Sequence, residues 1–251
     1  MSPQSYASTA RTAVVRRTVL RMAGIFAASV LTARPGHAVA ATKETGLSYE
    51  GLLKGVPGFQ PRVPAPMPEE IPGFVSKAQM TQTYSAYRDA FAKLLNAEKA
   101  LSTASRAAAQ AEDYGALRTQ QISSANAVLL HEFYFRNLAS RSVTPSRYVR
   151  GMMSEHMGTF DDWREDFTAC ARVAEAWAVL VYDPYDDRWH NLPLSAANAG
   201  GMAGNNPLVV CDVSAHAWSV DYKDKESYVS VFLDHLNWDE VGARYRAVDR
   251  K

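Results

Sequence analysis

The chain is poor in cysteine, the residue that binds zinc and redox metals through sulfur. Its 251 residues include only Cys170 and Cys211, and neither lies in a CxxC or CxxH pattern. The sequence therefore gives no support for a thiolate zinc site or a dithiol redox centre. The two thiols either pair in an oxidising compartment or stay free and buried.

The chain also lacks a strong net charge of either sign. It has 27 basic and 26 acidic residues, and residues 1–40 hold five arginines but no acidic residue, so the remainder has a formal charge near −4. A mildly acidic body gives no electrostatic reason to expect a nucleic-acid partner. The hydrophobic content of 47% is ordinary for a globular protein, and the length allows one or two domains with a substantial core.

The first 40 residues have the pattern of a targeting segment. Paired Arg16 and Arg17 precede an apolar stretch at 22–31, which is too short to anchor the chain in a bilayer, and a small-x-small cleavage pattern follows at 38–40. We expect export by a twin-arginine route to the bacterial periplasm or the thylakoid lumen. A Sec signal that carries paired arginines is the alternative. The processed chain is not expected to span a membrane.

The pattern after residue 40 predicts a lead-in and then a helical half. Residues 41–75 contain six prolines and five glycines, which predicts an extended lead-in and not a packed element. Apolar residues then recur at three- and four-residue spacing from 76 to about 113 and again over 118–139. These two stretches predict a helical hairpin within residues 76–145.

Residues 146–251 predict a second, mixed half. A loop containing Pro145 leads to a helix over 159–175, then to short apolar strands at 177–182, 188–194 and 208–213, and finally to a helix over 225–247. This order predicts an α+β fold, in which a long helical hairpin precedes an α/β domain with a small, about three-stranded antiparallel sheet.

Three residues have the types and positions of metal ligands. Asp212 and His216 lie four residues apart where a strand ends, and His131 lies in an apolar helical stretch. Two imidazoles and one carboxylate hold divalent iron with open positions, and zinc also accepts this set. Alternatively, the histidines are hydrogen-bonded core residues, and a protonated His216 neutralises Asp212.

Several motifs in order resemble the iron/manganese superoxide dismutases. DVSAHAWSVDY at 212–222 resembles the family signature DVWEHAYYxDY, and HEFYF at 131–135 resembles NHTFYW. GTF at 158–160, AWAVLV at 176–181 and NAG at 198–200 resemble the GSF turn, GWAWLV and the strand-end NAG. The tyrosine–valine and asparagine–tryptophan pairs at 228–229 and 237–238 also match, so the resemblance covers residues 120–247, about half of the chain.

The resemblance implies a metal site between the two halves. It implies that His131, Asp212 and His216 hold iron or manganese, which reacts with superoxide. The residues that it places around the metal are Trp177, Phe135, Tyr87 and Phe91. Of the other histidines, His156, His190 and His235 match no ligand position of the family.

The chain departs from the family at several polar positions. The fourth ligand, a histidine of the first helix, corresponds to Thr83, and no histidine lies between His37 and His131. Tyr87 and Phe91 stand where the family has its gateway histidine and tyrosine. Ala127 stands at the helix position of a glutamine near the metal, and Ala215 replaces the glutamate that reaches across the family's dimer, which removes a basis for that dimer.

Three hypotheses follow for function. In the first, dismutase activity is impaired or lost, the metal is weakly bound or absent, and the fold is kept as a binding or structural component with a protein partner or in a larger assembly. In the second, the chain is an active superoxide dismutase or related oxidoreductase whose site of His131, Asp212 and His216 is completed by water. In the third, the fold holds no metal. No further catalytic residue is assigned.

Overall fold

The computed structural model describes residues 63–196, 201 and 204–248. The predicted targeting segment, the first part of the lead-in and the NAG motif lie outside these residues. Within them, no helix has both the length and the apolar character needed to cross a bilayer. The α+β class, with a helical region followed by a domain that contains a three-stranded antiparallel sheet, is confirmed.

Two 27-residue helices form the N-terminal hairpin. Helix α1 spans Lys77–Thr103 and begins where the Ser76 hydroxyl accepts a hydrogen bond from the Gln79 amide, and helix α2 spans Ala111–Asn137. The first helix ends about ten residues earlier than the sequence predicts. It ends there because the backbone of Ala104 is extended, and the Arg106 guanidinium donates to the last carbonyl groups of α1.

The end of the lead-in is packed, which corrects the expectation for this segment. Ile71, Phe74 and Val75 are buried in the main core, and Ile71 pairs with Val75 across a tight turn in which Gly73 has a φ of 80°. The Phe74 ring stacks on Tyr228 with ring centroids 5.8 Å apart. The prolines and glycines of this segment therefore shape a turn that carries core residues.

Two helices connect the hairpin to the sheet. Helix α3 spans Arg147–His156, where the sequence predicts only a loop, and helix α4 spans Phe160–Val173. Helix α3 forms because the Ser146 hydroxyl caps its first turn and the side chains of Val149 and Met153, four residues apart, are buried. Helix α4 begins with a capping box between Thr159 and Asp162.

The sheet places the start of one strand beside the end of another. Its strands are β1 (Trp177–Asp183), β2 (Arg188–Leu194) and β3 (Asn206–Asp212), in the antiparallel order β2-β1-β3. The first six residues of β1 are buried, as expected for a central strand. Trp177 at the start of β1 pairs with Asp212 at the end of β3, so both lie at the edge of the sheet that faces α2.

The last helical segment is two helices, and the single helix predicted over 225–247 is wrong. Helix α5 spans Lys225–Asp234 and helix α6 spans Trp238–Val248. The break occurs because residues 235–237 pair with the end of α2. Leu236 bridges to Leu138, and the Asn237 amide donates to the Asn137 carbonyl at 2.7 Å.

Candidate metal centre

Three side chains from three elements converge at one point. His131 comes from α2, Asp212 from the end of β3 and His216 from the short 3₁₀ turn Ala215–Ala217. Their candidate ligand atoms all lie within 4.8 Å of one another. The Oδ2 atom of Asp212 lies 2.9 Å from Nε2 of His216 and 3.6 Å from Nε2 of His131.

The hydrogen bonding of His131 aims a lone pair into this cluster. Its Nδ1 atom lies 2.7 Å from the Ala127 carbonyl oxygen, which can only accept, so the proton of the neutral ring is on Nδ1. The lone pair of the neutral ring is then on Nε2, which is buried and has no hydrogen-bond partner within the described part of the chain. Burial also lowers the pKa of His131 and so favours the neutral, coordinating form.

Asp212 is fully buried and shared between the turn and the cluster. Its Oδ1 atom accepts a hydrogen bond from the Ser214 amide at 3.0 Å, while Oδ2 faces both histidines. Burial acts to lower the pKa of His216, but the hydrogen bond and charge of Asp212 raise it, and the net shift is upward. A buried carboxylate beside an unprotonated imidazole nitrogen is a donor set that requires a cation, either a proton or a metal ion.

Four aromatic residues are predicted to surround the metal; the rings of three lie near His131, and the fourth packs against one of these three. The Trp177 ring meets His131 edge-on with centroids 4.8 Å apart, and the centroids of Tyr87 and Phe135 lie 5.9 Å and 6.2 Å from that of His131. Phe91 packs against Tyr87, with centroids 6.0 Å apart. These rings therefore pack around the His131 side of the cluster.

Thr83 is buried next to the cluster, but its hydroxyl is engaged elsewhere. The Oγ1 atom lies 3.1 Å from the Gln79 carbonyl oxygen and 3.2 Å from the His216 carbonyl oxygen, so it can donate to either. It also accepts a long hydrogen bond of 3.4 Å from the Gln79 side chain. The hydroxyl is thus bonded to the backbone that carries His216.

The sequence gives no indication of the role of Gln79. This residue is fully buried, and its amide nitrogen donates to the His216 carbonyl oxygen at 2.6 Å. Its amide oxygen accepts from the Val220 amide at 2.8 Å. Gln79 therefore joins α1 to the loop that follows β3. No local pattern could reveal pairs separated by 137 and 141 residues.

Tyr87 is tied to the lead-in. Its hydroxyl accepts a hydrogen bond from the Ala65 amide at 2.7 Å and donates to the Glu132 carboxylate at 3.1 Å. The Tyr84 hydroxyl donates to the Ala65 carbonyl oxygen at 2.8 Å. Burial raises the pKa of Tyr87 well above its ordinary value, so the phenol stays protonated. The two tyrosines hold the backbone of the lead-in against the hairpin.

The other three histidines in the described part of the chain, His156, His190 and His235, lie outside this cluster. Nε2 of His156 lies 3.1 Å from the Tyr245 hydroxyl, and Nδ1 of His235 lies 2.9 Å from the Val231 carbonyl oxygen. His190 joins Asp183 and Asp186 in a second group of possible ligands on the β1–β2 turn, where its contact with Asp186 is a hydrogen bond of 2.8 Å. Cys170 and Cys211 are both free thiols.

A cavity connects the cluster to solvent. It has a volume of about 310 Å³ and reaches His131, His216 and Trp177 between the two hairpin helices. Residues Asp89 and Lys93 of α1 also line it and are exposed. The two candidate histidines therefore line a solvent-connected cavity, whereas the fully buried Asp212 does not line it.

The chain is similar in sequence to proteins of one described family. Residues 145–244 match the family model described as iron/manganese superoxide dismutases, C-terminal domain. The chain is 26% identical over 186 residues to "Superoxide dismutase [Mn] 2" of Haloferax volcanii, covering 72% of this chain and 93% of that protein. It is 29% identical over 186 residues to "Superoxide dismutase [Fe]" of Aquifex aeolicus, covering 71% and 87%. It is 24% identical over 187 residues to "Superoxide dismutase [Fe]" of Cupriavidus metallidurans, covering 73% and 94%.

Proposed function

The chain is a divergent member of the iron/manganese superoxide dismutase family, and on that premise we propose that it holds iron or manganese through His131, Asp212 and His216. One observation carries the proposal. The buried Nε2 of His131, which has no hydrogen-bond partner among the described residues, faces the Asp212 carboxylate at 3.6 Å. Two electron-pair donors at this distance repel each other unless a cation lies between them, and a ligand set of two imidazoles and one carboxylate suits a transition metal.

A bound iron or manganese ion would supply one-electron redox chemistry toward superoxide. The protein's part is to keep the ligands in the required state. The Ala127 carbonyl fixes the His131 tautomer, the Ser214 amide orients Asp212, and Trp177 limits the rotation of the His131 ring. These contacts position the donors before a metal arrives.

We further propose that dismutase turnover is strongly impaired because the fourth ligand is missing. The Thr83 hydroxyl is bonded to backbone carbonyl groups, and a neutral hydroxyl is a poor substitute for imidazole. Loss of outer hydrogen bonds alone commonly weakens metal binding by about 10- to 100-fold, about 1.4–2.7 kcal/mol, so loss of a ligand should cost more.

Proton delivery is the second reason to expect impairment. Phe91 has no proton to donate, and the Tyr87 hydroxyl is engaged by Ala65 and Glu132. A dismutase must protonate its reduced product, so the loss of these donors slows the step that releases peroxide. The proposal includes export through the arginine-rich segment at 1–40 and retention of the fold as a binding component.

A second candidate function is an active dismutase whose three-residue site is completed by water. The cavity beside His131 and His216 favours it, because it gives solvent and superoxide a route to the ligands. The two candidates predict the same metal content and differ in turnover.

The test is elemental analysis of the purified protein together with a dismutase assay on the same sample. We expect near-stoichiometric iron or manganese with low turnover, and loss of the metal in His131→Ala. The matched control is His235→Ala, because His235 makes the same contact with the carbonyl four residues before it but lies outside the cluster. Turnover typical of the family would favour the second candidate, and equal metal in the parent and His131→Ala would reject the site.

A further inference from the structure

The cavity beside the candidate ligands is larger than superoxide requires. Its volume of about 310 Å³ lies at the lower end of the range for small organic ligands, about 300–1,000 Å³, whereas superoxide has two atoms. Small side chains create this space. Its walls include Ala86 and Ala90 of α1, Ala127 of α2, and the serines Ser123, Ser124 and Ser214.

A metal in this site would have positions to offer such a ligand. Three protein donors leave open coordination positions, as in other sites of two histidines and one carboxylate. The Thr83 hydroxyl, which lies near the site, is bonded to backbone carbonyl groups. An external molecule with two adjacent oxygen donors would occupy two such open positions.

The polar groups of the cavity favour a small organic anion with one charge. Three serines line the cavity, and the Ser214 hydroxyl donates to the Ala176 carbonyl oxygen at 3.3 Å, while the exposed Lys93 of α1 contributes a positive charge to the lining. Asp89, one turn before Lys93, also lines the cavity and disfavours a second negative charge. Alanine side chains at 86, 90 and 127 leave apolar surface for a short carbon chain.

We propose that this cavity binds a small monocarboxylate of the 2-oxo or 2-hydroxy acid class. Its adjacent oxygen atoms would complete the ligand set of the metal, and its carbon end would lie among the alanines. The inference rests on the proposed metal site, and it names the chemical class of the ligand that the fold would bind. It concerns binding alone.

The experiment is calorimetric titration of pyruvate into the metal-loaded protein. Azide, a small anion that lacks two adjacent oxygen donors, is titrated for comparison, and the metal-free protein is the blank. We expect pyruvate to bind only when metal is present. In Ala86→Leu, which fills the cavity from α1, away from the backbone groups that orient the candidate ligands, pyruvate binding should weaken at least about tenfold while metal content and azide binding persist. Ala78→Leu, at an exposed position of the same helix, is the matched control.

A second variant keeps the test valid if Ala86→Leu does not fold. Lys93→Glu changes an exposed residue and should weaken pyruvate binding at least about tenfold by replacing attraction with repulsion. Azide binding without pyruvate binding would overturn the inference and leave the metal site standing. Unchanged pyruvate affinity in both variants would also overturn it. Absence of metal by elemental analysis would overturn the metal site and the inference together.

Discussion

The hydroxyl of Thr83 lies 3.2 Å from the backbone carbonyl oxygen of His216, so α1 contacts the loop of a candidate metal ligand through a hydrogen bond. Thr83 itself is buried, with 1% of its surface exposed. Thr83 thus joins α1 to the loop that carries His216, but its hydroxyl does not serve as a ligand atom of the candidate metal site. This relationship makes position 83 the most direct place to alter the metal affinity.

We expect Thr83→His to strengthen metal binding at least about tenfold, because an imidazole replaces a hydroxyl that is a poor transition-metal donor. The dissociation constant for manganese or iron would be measured by competition with a chelator of known affinity. Thr81→His, two residues earlier on the exposed face of α1, is the control and should leave affinity unchanged. A folded Thr83→His protein with the parent's affinity would contradict the explanation of impairment.

Gln79 should matter for stability more than its type suggests. We expect Gln79→Ala to lower the free energy of unfolding by about 1–3 kcal/mol, because it leaves the Val220 amide without its side-chain acceptor and removes the shorter of the two side-chain hydrogen bonds to the His216 carbonyl, the other coming from Thr83. Urea denaturation would measure the change. Gln82→Ala, on the exposed face of the same helix, should alter it by less than about 0.5 kcal/mol. Equal effects of the two substitutions would refute the role of Gln79.

The contact between Tyr87 and Ala65 predicts how the lead-in is held. In Tyr87→Phe, the Ala65 amide and Glu132 lose their partner, so we expect the free energy of unfolding to fall by about 1 kcal/mol. The Ala65 amide should also exchange its hydrogen faster, which amide exchange measures directly. Tyr185→Phe is the control because Tyr185 is 96% exposed. Unaltered exchange at Ala65 would show that the tyrosine does not hold this segment.

The sequence predicted those parts of the fold whose signal is local. Trp177 to Tyr182 is an uninterrupted apolar run, which is typical of a buried strand, and the structure has a central strand there. Helix α3 was missed because its buried residues, Val149 and Met153, form a stripe only one turn long. The break between α5 and α6 was missed because it depends on contacts with residues about 100 positions away.

The candidate site shows the same division. His131, Asp212 and His216 were selected by residue type and family resemblance, and the structure brings them together. Their role as ligands stays a prediction. Gln79 and the pairing of Tyr87 with Ala65 were not foreseen, because a polar residue on a helix has no sequence feature that identifies a distant backbone partner. Sequence therefore indicated which donors meet, and only the structure showed what holds them.

Buried tyrosines predict a loss of stability in alkali. The hydroxyl groups of Tyr134 and Tyr228 lie 3.1 Å apart in the core, and burial raises the pKa of both well above the ordinary value. Burial and the Asp221 charge raise the pKa of Tyr222 to about 12. In the unfolded chain each phenol loses its proton near pH 10, about two units before Tyr222 does so in the folded protein.

A folded pKa above the unfolded one contributes stability that is complete below about pH 10 and is lost as pH rises toward the folded pKa. The free energy of unfolding should therefore fall by up to about 1.4 kcal/mol per pH unit for each such tyrosine, as urea denaturation at about pH 9, 10 and 11 would measure. Tyr228→Phe removes one titrating group and should make this decline shallower, whereas the exposed Tyr185→Phe should not. A decline of the same slope in both variants would mean that groups other than Tyr228 cause the alkaline instability, because Tyr228 is buried in the core and Tyr185 is 96% exposed.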